Sequence, residues 1–328
     1  MKTEKLSIED AIIQFIELIT LSRSKNTARS YQNAMNSFCE LLEEKGISIE
    51  NTPVRNLKEN YLSKYLHFLK GYAPATEQLY VIAVSRFFQF LIAEDLADLN
   101  LQKIQLLIRS RSRKPGIRLP QFPKEDLKKI IDYTQEFRNQ PFEDTAHQLI
   151  AYRDAALILT LADTGLRVHE ACNLRRGDID WNEYKAIIIG KGDKEALVRF
   201  SSRAITAVKS YLNLRSELDG SSGKPLHSLP IFSRHDKGAG KRILPISTTT
   251  ARKIIKERAS AVLGEKASRG ITPHTFRHYF VTNVLQGSGG NLKLAQELAR
   301  HKNIQVTQRY AHLSNDELDQ GYHDIFEN

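Results

Sequence analysis

The stretch PHTFRHYF at residues 273–280 decides how this chain is interpreted. Its proline can open a helix, and a spacing of three residues places His274 and Arg277 on one face of that helix. Phe276 and Phe280 supply the apolar face instead, so core packing does not account for the two polar residues. The pattern predicts a helix that presents an imidazole and a guanidinium together.

Two further polar groups follow in the segment ELARHKNIQVTQRYAH, residues 297–312. His301 and Tyr310 are nine residues apart in it. A phosphodiester gains negative charge as a nucleophile arrives, so fixed cations and hydrogen-bond donors must surround its oxygens. With His274 and Arg277, these residues suit holding a phosphodiester while the phenol of Tyr310 attacks it.

Other interpretations of these residues exist. Tyr279 and Tyr322 are rival phenols, although Tyr279 is expected to pack and Tyr322 lies in the C-terminal tail. His274 and His278 have the spacing of zinc ligands on a helix, but the glutamate of an HExxH motif and an obvious third ligand are missing. No metal site is predicted.

Length and composition set broad limits. The 328 residues suffice for two domains that each bury a core, and the net charge of +10 favours a polyanionic partner. Cys39 and Cys172 follow no metal-ligand spacing and are expected to be reduced thiols. No apolar run approaches the roughly 20 residues of a membrane span, and the N-terminus lacks a signal-peptide pattern. The sequence therefore predicts a cytoplasmic protein without a membrane partner.

Residues 7–100 show helical periodicity. Ser7 and Asp10 can form a capping box ahead of a first helix. Three more amphipathic helices are expected at about residues 27–46, 57–71 and 74–91. Four helices with short connections predict a small all-α bundle.

Residues 109–123, RSRSRKPGIRLPQFP, interrupt this pattern with five basic residues, three prolines and a glycine. Such a segment is typical of an extended linker, and its charge would let it lie along a nucleic-acid backbone. Candidates for phosphate contacts share a positive charge: Arg23, Lys25, Arg29, Arg86, Arg109, Arg111, Arg113, Lys114, Arg118 and Lys194.

Residues 124–328 mix helical and strand patterns. Helices are expected near 124–133, over 147–163 with Gly165 as its end, and over most of the chain from 247. Two β-rich runs, 185–190 and 195–200, flank a turn with Gly192 and predict a hairpin. Residues 229–245 are expected to add a short strand or two. The predicted fold class is α+β, mostly helical, with an all-α N-terminal bundle and a mixed α/β C-terminal domain.

The motifs TGLRVHEACNL (164–174), GKGDKE (190–195), HTFRHYFVTNVL (274–285) and ELARHKNIQVTQRYAH occur in this order. Together they resemble the motif set of the tyrosine recombinase (phage integrase) family, and the Xer-like bacterial branch is the most similar. The resemblance implies a SAM-like core-binding domain over 1–108 and a catalytic domain over 124–328.

The resemblance also implies roles for individual residues. Glu170 is similar to the acidic residue that supports the site, and Lys191 to the general-acid lysine, with Lys194 as its alternative. The implied catalytic set is Arg167, Lys191, His274, Arg277, His301 and Tyr310. One departure concerns the Leu-Gly-His common before the nucleophile segment, which here reads Leu298-Ala299-Arg300-His301.

The implied activity is site-specific DNA recombination through a 3′-phosphotyrosyl intermediate, without cofactor, metal or ATP. The implied partners are double-stranded DNA and a tetramer, of one chain or with a paralogue, on two synapsed sites. A type IB topoisomerase and a DNA-binding regulator that does not cut are the alternatives. An apolar set in the tail, Leu313, Leu318, Ile325 and Phe326, is expected to dock either on its own chain or on a neighbouring subunit.

Overall fold

A computed structural model provides the structure of the chain. It describes residues 6–113, 123–137, 140–190, 195–240 and 242–311, with the side chains of 309–311 outside the description. The chain divides into two compact units, Met1–Arg118 and Leu119–Asn328. Within the described ranges, no helix is both long and apolar enough to cross a bilayer. Cys39 and Cys172 are free thiols, as predicted.

The first unit is a helical bundle. Its helices are α1 (Ile8–Ser22), α2 (Lys25–Glu44), α3 (Glu59–Phe68), α4 (Pro74–Ala93) and α5 (Leu101–Arg111). The predicted capping box is confirmed, because Ser7 Oγ accepts from the backbone N–H of Asp10 and the Asp10 carboxylate accepts from that of Ser7. The core of this unit is rich in aromatic side chains, with Phe15, Phe38 and Phe87 buried.

Two predictions about the end of this unit are wrong, because a fifth helix, α5, is present. The predicted bundle had four helices, and the predicted extended linker began at residue 109, whereas residues 109–111 form the last turn of α5. The Asn100 side chain caps this helix by accepting from the backbone N–H of Lys103 at 3.0 Å, and Ile104 is fully buried. Basic residues in the last turn also favour it, since they interact well with the helix dipole.

A buried carboxylate anchors the chain just beyond α5. Glu77 of α4 is 1 % exposed and accepts from Lys70 Nζ at 2.7 Å and from the backbone N–H of Arg113 at 3.0 Å. Arg113 Nε also donates to it. Burial by itself would raise the pKa of Glu77, but the hydrogen bonds from Arg113 and Lys70 outweigh it and lower the pKa to about 2. Arg113, a predicted phosphate contact, is therefore engaged within its own unit.

This anchor gives a stability prediction. Because the pKa of Glu77 is lower in the folded state, its contribution is present above the unfolded value of about 4.5 and is lost as the pH falls toward about 2. Glu77→Gln should cost roughly 3 kcal/mol at pH 7, since it leaves two cations without their partner. Hydrogen exchange of α4 and α5 amides in the full chain measures the loss. The exposed Glu17→Gln in α1 is the control, and equal protection in both variants would contradict the prediction.

In the second unit, other helices pack around one long central helix. Its helices are α6 (Lys124–Phe137), α7 (Thr145–Thr164), α8 (Val168–Asn173), α9 (Ser202–Leu214), α10 (Ser216–Gly220), α11 (Thr248–Ser268), α12 (Pro273–Gly287), α13 (Leu292–Ala299) and α14 (Ile304–Ala311). Helix α7 is apolar around most of its circumference and packs against α6, α9 and α12. Because neighbouring helices pack around α7, they also determine where its C-terminal end lies within this unit.

A small antiparallel sheet carries the predicted hairpin. Strands β1 (Ile179–Asp180), β2 (Lys185–Ile189) and β3 (Glu195–Arg199) follow in order, and Ile187 pairs with Leu197. The prediction of a hairpin is confirmed. Residues 191–194, which include both candidate lysines Lys191 and Lys194, lie outside the described residues.

The prediction of strands over 229–245 is wrong. Single antiparallel bridges, Arg175 with Pro230 and Ser233 with Pro245, hold this segment. A fully buried guanidinium, Arg215, donates to the carbonyls of Pro230 and Ile231 at 2.8 Å each, and to Asp219. Arg234 donates to the Leu244 carbonyl and Ile246 to the Phe232 carbonyl, but among the described residues of this segment the pairing does not extend beyond single bridges.

Candidate active site

The site is built around the turn that ends α7. Gly165 adopts a left-handed conformation, φ 61° and ψ 20°, and ends the helix as the sequence predicted. Arg277 of α12 is 3 % exposed, and it donates from Nη1 to the Gly165 carbonyl and from Nη2 to the Ala299 carbonyl at the end of α13. One buried guanidinium thus ties the ends of two helices together.

Arg167 and Glu170 lie on the next turn, at the start of α8. The buried Glu170 carboxylate accepts from the backbone N–H of Arg167 at 2.8 Å and from Arg167 Nη1 at 3.0 Å. Arg300 Nη2 donates to the same carboxylate at 3.0 Å. Burial opposes ionisation of Glu170, but the charge of Arg300 and the hydrogen bonds from Arg167 outweigh it and hold the pKa below its usual value. The Arg167 side chain remains 40 % exposed and can reach a ligand.

Three histidines lie near the arginines. The rings of His274 and His278 meet edge to face with 4.3 Å between centroids. Burial, followed by the charges of Arg277 and Arg167, lowers the pKa of His274 and lowers that of His301 to about 4. Burial and the neighbouring His274 lower the pKa of His278 to about 4 as well. At all three histidines, the surroundings therefore favour the neutral imidazole in the free protein.

His301 is held from two directions. Its backbone N–H donates to the Gln296 carbonyl at 3.0 Å, and its Nδ1 is hydrogen-bonded to Thr307 Oγ1 at 2.9 Å. Thr307 is fully buried in α14, the helix whose backbone includes Tyr310. The hydrogen bond thus ties the His301 ring to α14. The side chain of Tyr310, the rival Tyr322 and the apolar tail set lie outside the described residues.

The structure thus brings Arg167, Glu170, His274, Arg277 and His301 into one cluster. Tyr279 packs as expected, since it is 9 % exposed and interacts with Arg203. No third His, Cys, Asp or Glu completes a metal-binding group with His274 and His278 within the described ranges. The catalytic roles themselves stay predictions.

The phosphate-contact candidates of the first unit are spread over several elements. The exposed Arg23, Lys25 and Arg29 flank the junction of α1 and α2, and Arg86 lies on the exposed side of α4. Arg109 and Arg111 lie in the last turn of α5, where Arg111 also donates to Ser63. Lys114 and Arg118 lie outside the described residues.

Sequence reasoning missed the part played by Arg300. Its place in Leu298-Ala299-Arg300-His301 was visible as a departure from the family pattern. The contact that explains it, with Glu170, joins residues 130 positions apart. A local pattern cannot reveal such a pair.

The Gly165 turn gives a prediction for stability. A Cβ at this position would overlap with the Phe280 ring, and the positive φ would also strain any side chain. Gly165→Ala should therefore destabilise the second unit by roughly 2–4 kcal/mol. Thermal unfolding measures this change. Gly46→Ala is the matched control, because its φ is +76° and no atom lies within 4 Å of its Cβ. Equal losses in the two variants would count against the packing argument.

Comparison with known proteins now defines the class. The phage integrase family model matches residues 121–317, and the model for the phage integrase N-terminal SAM-like domain matches residues 12–95. With the relatives that follow, these matches define a site-specific recombinase of the tyrosine class. The chain belongs to the phage integrase family, and the resemblance predicted from the motifs is confirmed.

The relatives are Xer proteins. Tyrosine recombinase XerC of Pediococcus pentosaceus is 28% identical over 322 residues, 97% of this chain and 98% of the relative. Tyrosine recombinase XerD of Brucella melitensis biotype 1 is 29% identical over 311 residues, 94% of each chain. The fold is similar to that of the XerH site-specific recombinase bound to palindromic difH substrate, with a TM-score of 0.68, 19% identity and coverage of 99% and 98%.

Proposed function

We propose that this chain cuts and rejoins duplex DNA at a specific site, with Tyr310 as the nucleophile that forms a 3′-phosphotyrosyl bond. The observation that carries the proposal is the cluster of Arg167, Arg277, His274 and His301 around the Gly165 turn. A recombinase must hold one phosphodiester without hydrolysing it, and such a cluster suits that task.

The charges of the cluster match those of the reaction. The attacked phosphodiester is an anion that gains charge in the transition state, and preorganised cations stabilise it most effectively in a site with little water. Arg277 is held rigidly by two backbone carbonyls, and Arg167 is oriented by the Glu170 carboxylate. Fixed guanidinium groups cost no reorganisation at the moment of reaction. We infer that the two guanidinium groups supply the positive charge that a metal ion supplies in many nucleases.

The proton transfers can be assigned to residues of this chain. The phenolic oxygen of Tyr310 bonds to phosphorus while the bond between phosphorus and the 5′-oxygen breaks. One phosphodiester therefore replaces another. The surroundings of His274 and His301 favour the neutral imidazole, which is the form that can accept the phenolic proton. Lys191 donates a proton to the departing 5′-oxygen. Attack of a 5′-hydroxyl on the phosphotyrosine reverses these steps and rejoins DNA without ATP.

The two domains divide the work in this proposal. Residues 1–108 bind one side of the duplex through exposed basic groups at Arg23, Lys25, Arg29 and Arg86. Residues 124–328 carry the chemistry. Four subunits, identical or shared with a paralogue, join two sites in the cytoplasm. The net charge of +10 supports binding to a polyanion.

A covalent capture experiment tests the proposal and finds the target site. The full chain is incubated in EDTA with a library of nicked duplexes of random sequence, and DNA that stays attached in SDS is amplified. Diffusion of the short nicked end prevents rejoining, so the phosphotyrosyl bond accumulates. We expect enrichment of one sequence with two inverted half-sites.

Other outcomes would replace this proposal with a defined alternative. Adducts without sequence preference, together with relaxation of supercoiled plasmid by a monomer, would favour a type IB topoisomerase. Tight binding without any adduct would favour a DNA-binding regulator. Adducts that require added zinc or magnesium would contradict the assignment of charge stabilisation to arginines.

A further inference from the structure

We propose that Arg300 is a positioning residue for DNA cleavage, which holds the turn bearing His301 against the turn bearing Arg167. The inference rests on the proposed function, in which both residues act on the same phosphodiester. Arg300 itself is not assigned a contact with DNA.

The backbone of Arg300 is the first observation. It adopts φ 56° and ψ 45° at the end of α13, in the left-handed region that glycine usually occupies at this point of a helix. Within the described part of the chain, Asp95 and Tyr184 are the other non-glycine residues with positive φ. A strained residue persists where its surroundings fix it, and such residues concentrate at functional sites.

The guanidinium of Arg300 is the second observation. It is 13 % exposed, and its Nη2 donates to Glu170 Oε2 at 3.0 Å with a longer contact of 3.5 Å to the Gly165 carbonyl. Its Nε is buried without a hydrogen-bond partner among the described residues. Charge-assisted hydrogen bonds are among the stronger ones in proteins, and Glu170 keeps two hydrogen bonds from Arg167 when Arg300 is replaced. The ion pair therefore favours the strained backbone over an ordinary helix end.

The contacts form a continuous path across the site. Arg167 binds Glu170, Glu170 binds Arg300, and Arg300 is bonded directly to His301 in the chain. The His301 ring then contacts Thr307 in α14, the helix that contains Tyr310. Through this path, Arg300 sets the separation between the phosphate-binding arginine and the nucleophile helix. Small errors in such a separation reduce reaction rates strongly.

Single-turnover cleavage of the captured duplex tests this role. Arg300→Gly relieves the backbone strain and removes the ion pair, so its melting temperature and duplex affinity should stay near wild type. Its cleavage rate should fall roughly 10- to 100-fold, because the reacting groups lose their fixed separation. Asp95→Gly is the matched control, since it makes the same backbone change at an exposed residue of the first unit. It should cleave at the wild-type rate.

A double-variant cycle separates positioning from a general structural effect. If Arg300 acts through Glu170, Arg300→Gly should slow a Glu170→Gln enzyme little further. Wild-type cleavage by Arg300→Gly, or losses that multiply in the double variant, would overturn the inference while the adduct of the wild-type chain upholds the proposed function. A fall in melting temperature that accounts for the slower cleavage would also overturn it. If Arg300→Gly does not fold, Arg300→Lys takes its place in the double-variant cycle. If neither the wild-type chain nor Asp95→Gly cleaves any duplex, the proposed function itself is contradicted.

Discussion

Tyr310→Phe is expected to abolish the covalent protein–DNA adduct while leaving duplex affinity nearly unchanged. The substitution removes one oxygen atom, which is the atom proposed to attack phosphorus, and leaves the ring and every cation of the site. Affinity for duplex DNA depends mainly on contacts with many phosphates, so it should not depend on that oxygen. An SDS gel of the nicked, captured duplex measures the adduct, and filter binding measures the affinity.

The rival phenols provide the controls for this result. Tyr279→Phe and Tyr322→Phe should both retain the adduct. Tyr279 is buried in the second unit, so any loss of adduct in Tyr279→Phe should be accompanied by a lower melting temperature. An undiminished adduct in Tyr310→Phe would move the nucleophile to another tyrosine and contradict the motif assignment.

Lys191→Ala is expected to slow cleavage of ordinary DNA by roughly 10²–10⁴-fold, the usual contribution of a positioned general acid. The departing 5′-oxygen would then leave without a proton. A duplex with sulfur in place of that bridging oxygen has a better leaving group and needs little protonation. Cleavage of the sulfur-containing duplex by Lys191→Ala should therefore approach the wild-type rate.

Two further variants make this test specific. Arg277→Ala should stay slow on both duplexes, because charge on the non-bridging oxygens remains unbalanced whatever the leaving group. Lys194→Ala should cleave both duplexes well. If sulfur instead rescues Lys194→Ala and leaves Lys191→Ala inactive, Lys194 is the general acid and Lys191 binds phosphate.

The features that sequence predicted correctly are local ones. The Ser7–Asp10 capping box, the end of α7 at Gly165 and the β2–β3 hairpin each depend on residues only a few positions apart. The same holds for His274 and Arg277, whose spacing of three gives them one helical face. Such features follow from hydrogen bonds and steric limits within a single turn, so the amino-acid order suffices to predict them.

The features that sequence missed or misjudged depend on distant partners. Helix α5 begins with a local cap, but it is stabilised by burial of Ile104 in the bundle. The sequence predicts a DNA contact for Arg113, yet its guanidinium donates to Glu77, 36 positions earlier. In the described part of 229–245, single bridges replace the expected strands, and Arg215 binds two carbonyls of this segment from outside it. In each case a contact across the fold outweighs the local preference.

Taken alone, the sequence determined the family, the two-part organisation of helices and hairpin, and the residue types available for phosphodiester chemistry. It could do so because motif order, helical spacing and charge are properties of the chain itself. Tertiary structure decided which charges meet: Arg277 with the ends of α7 and α13, and Arg300 with Glu170. Those pairings, and the lowered pKa of His301 that results from burial and from Arg277, arise only when segments as far as 130 positions apart pack together and exclude water.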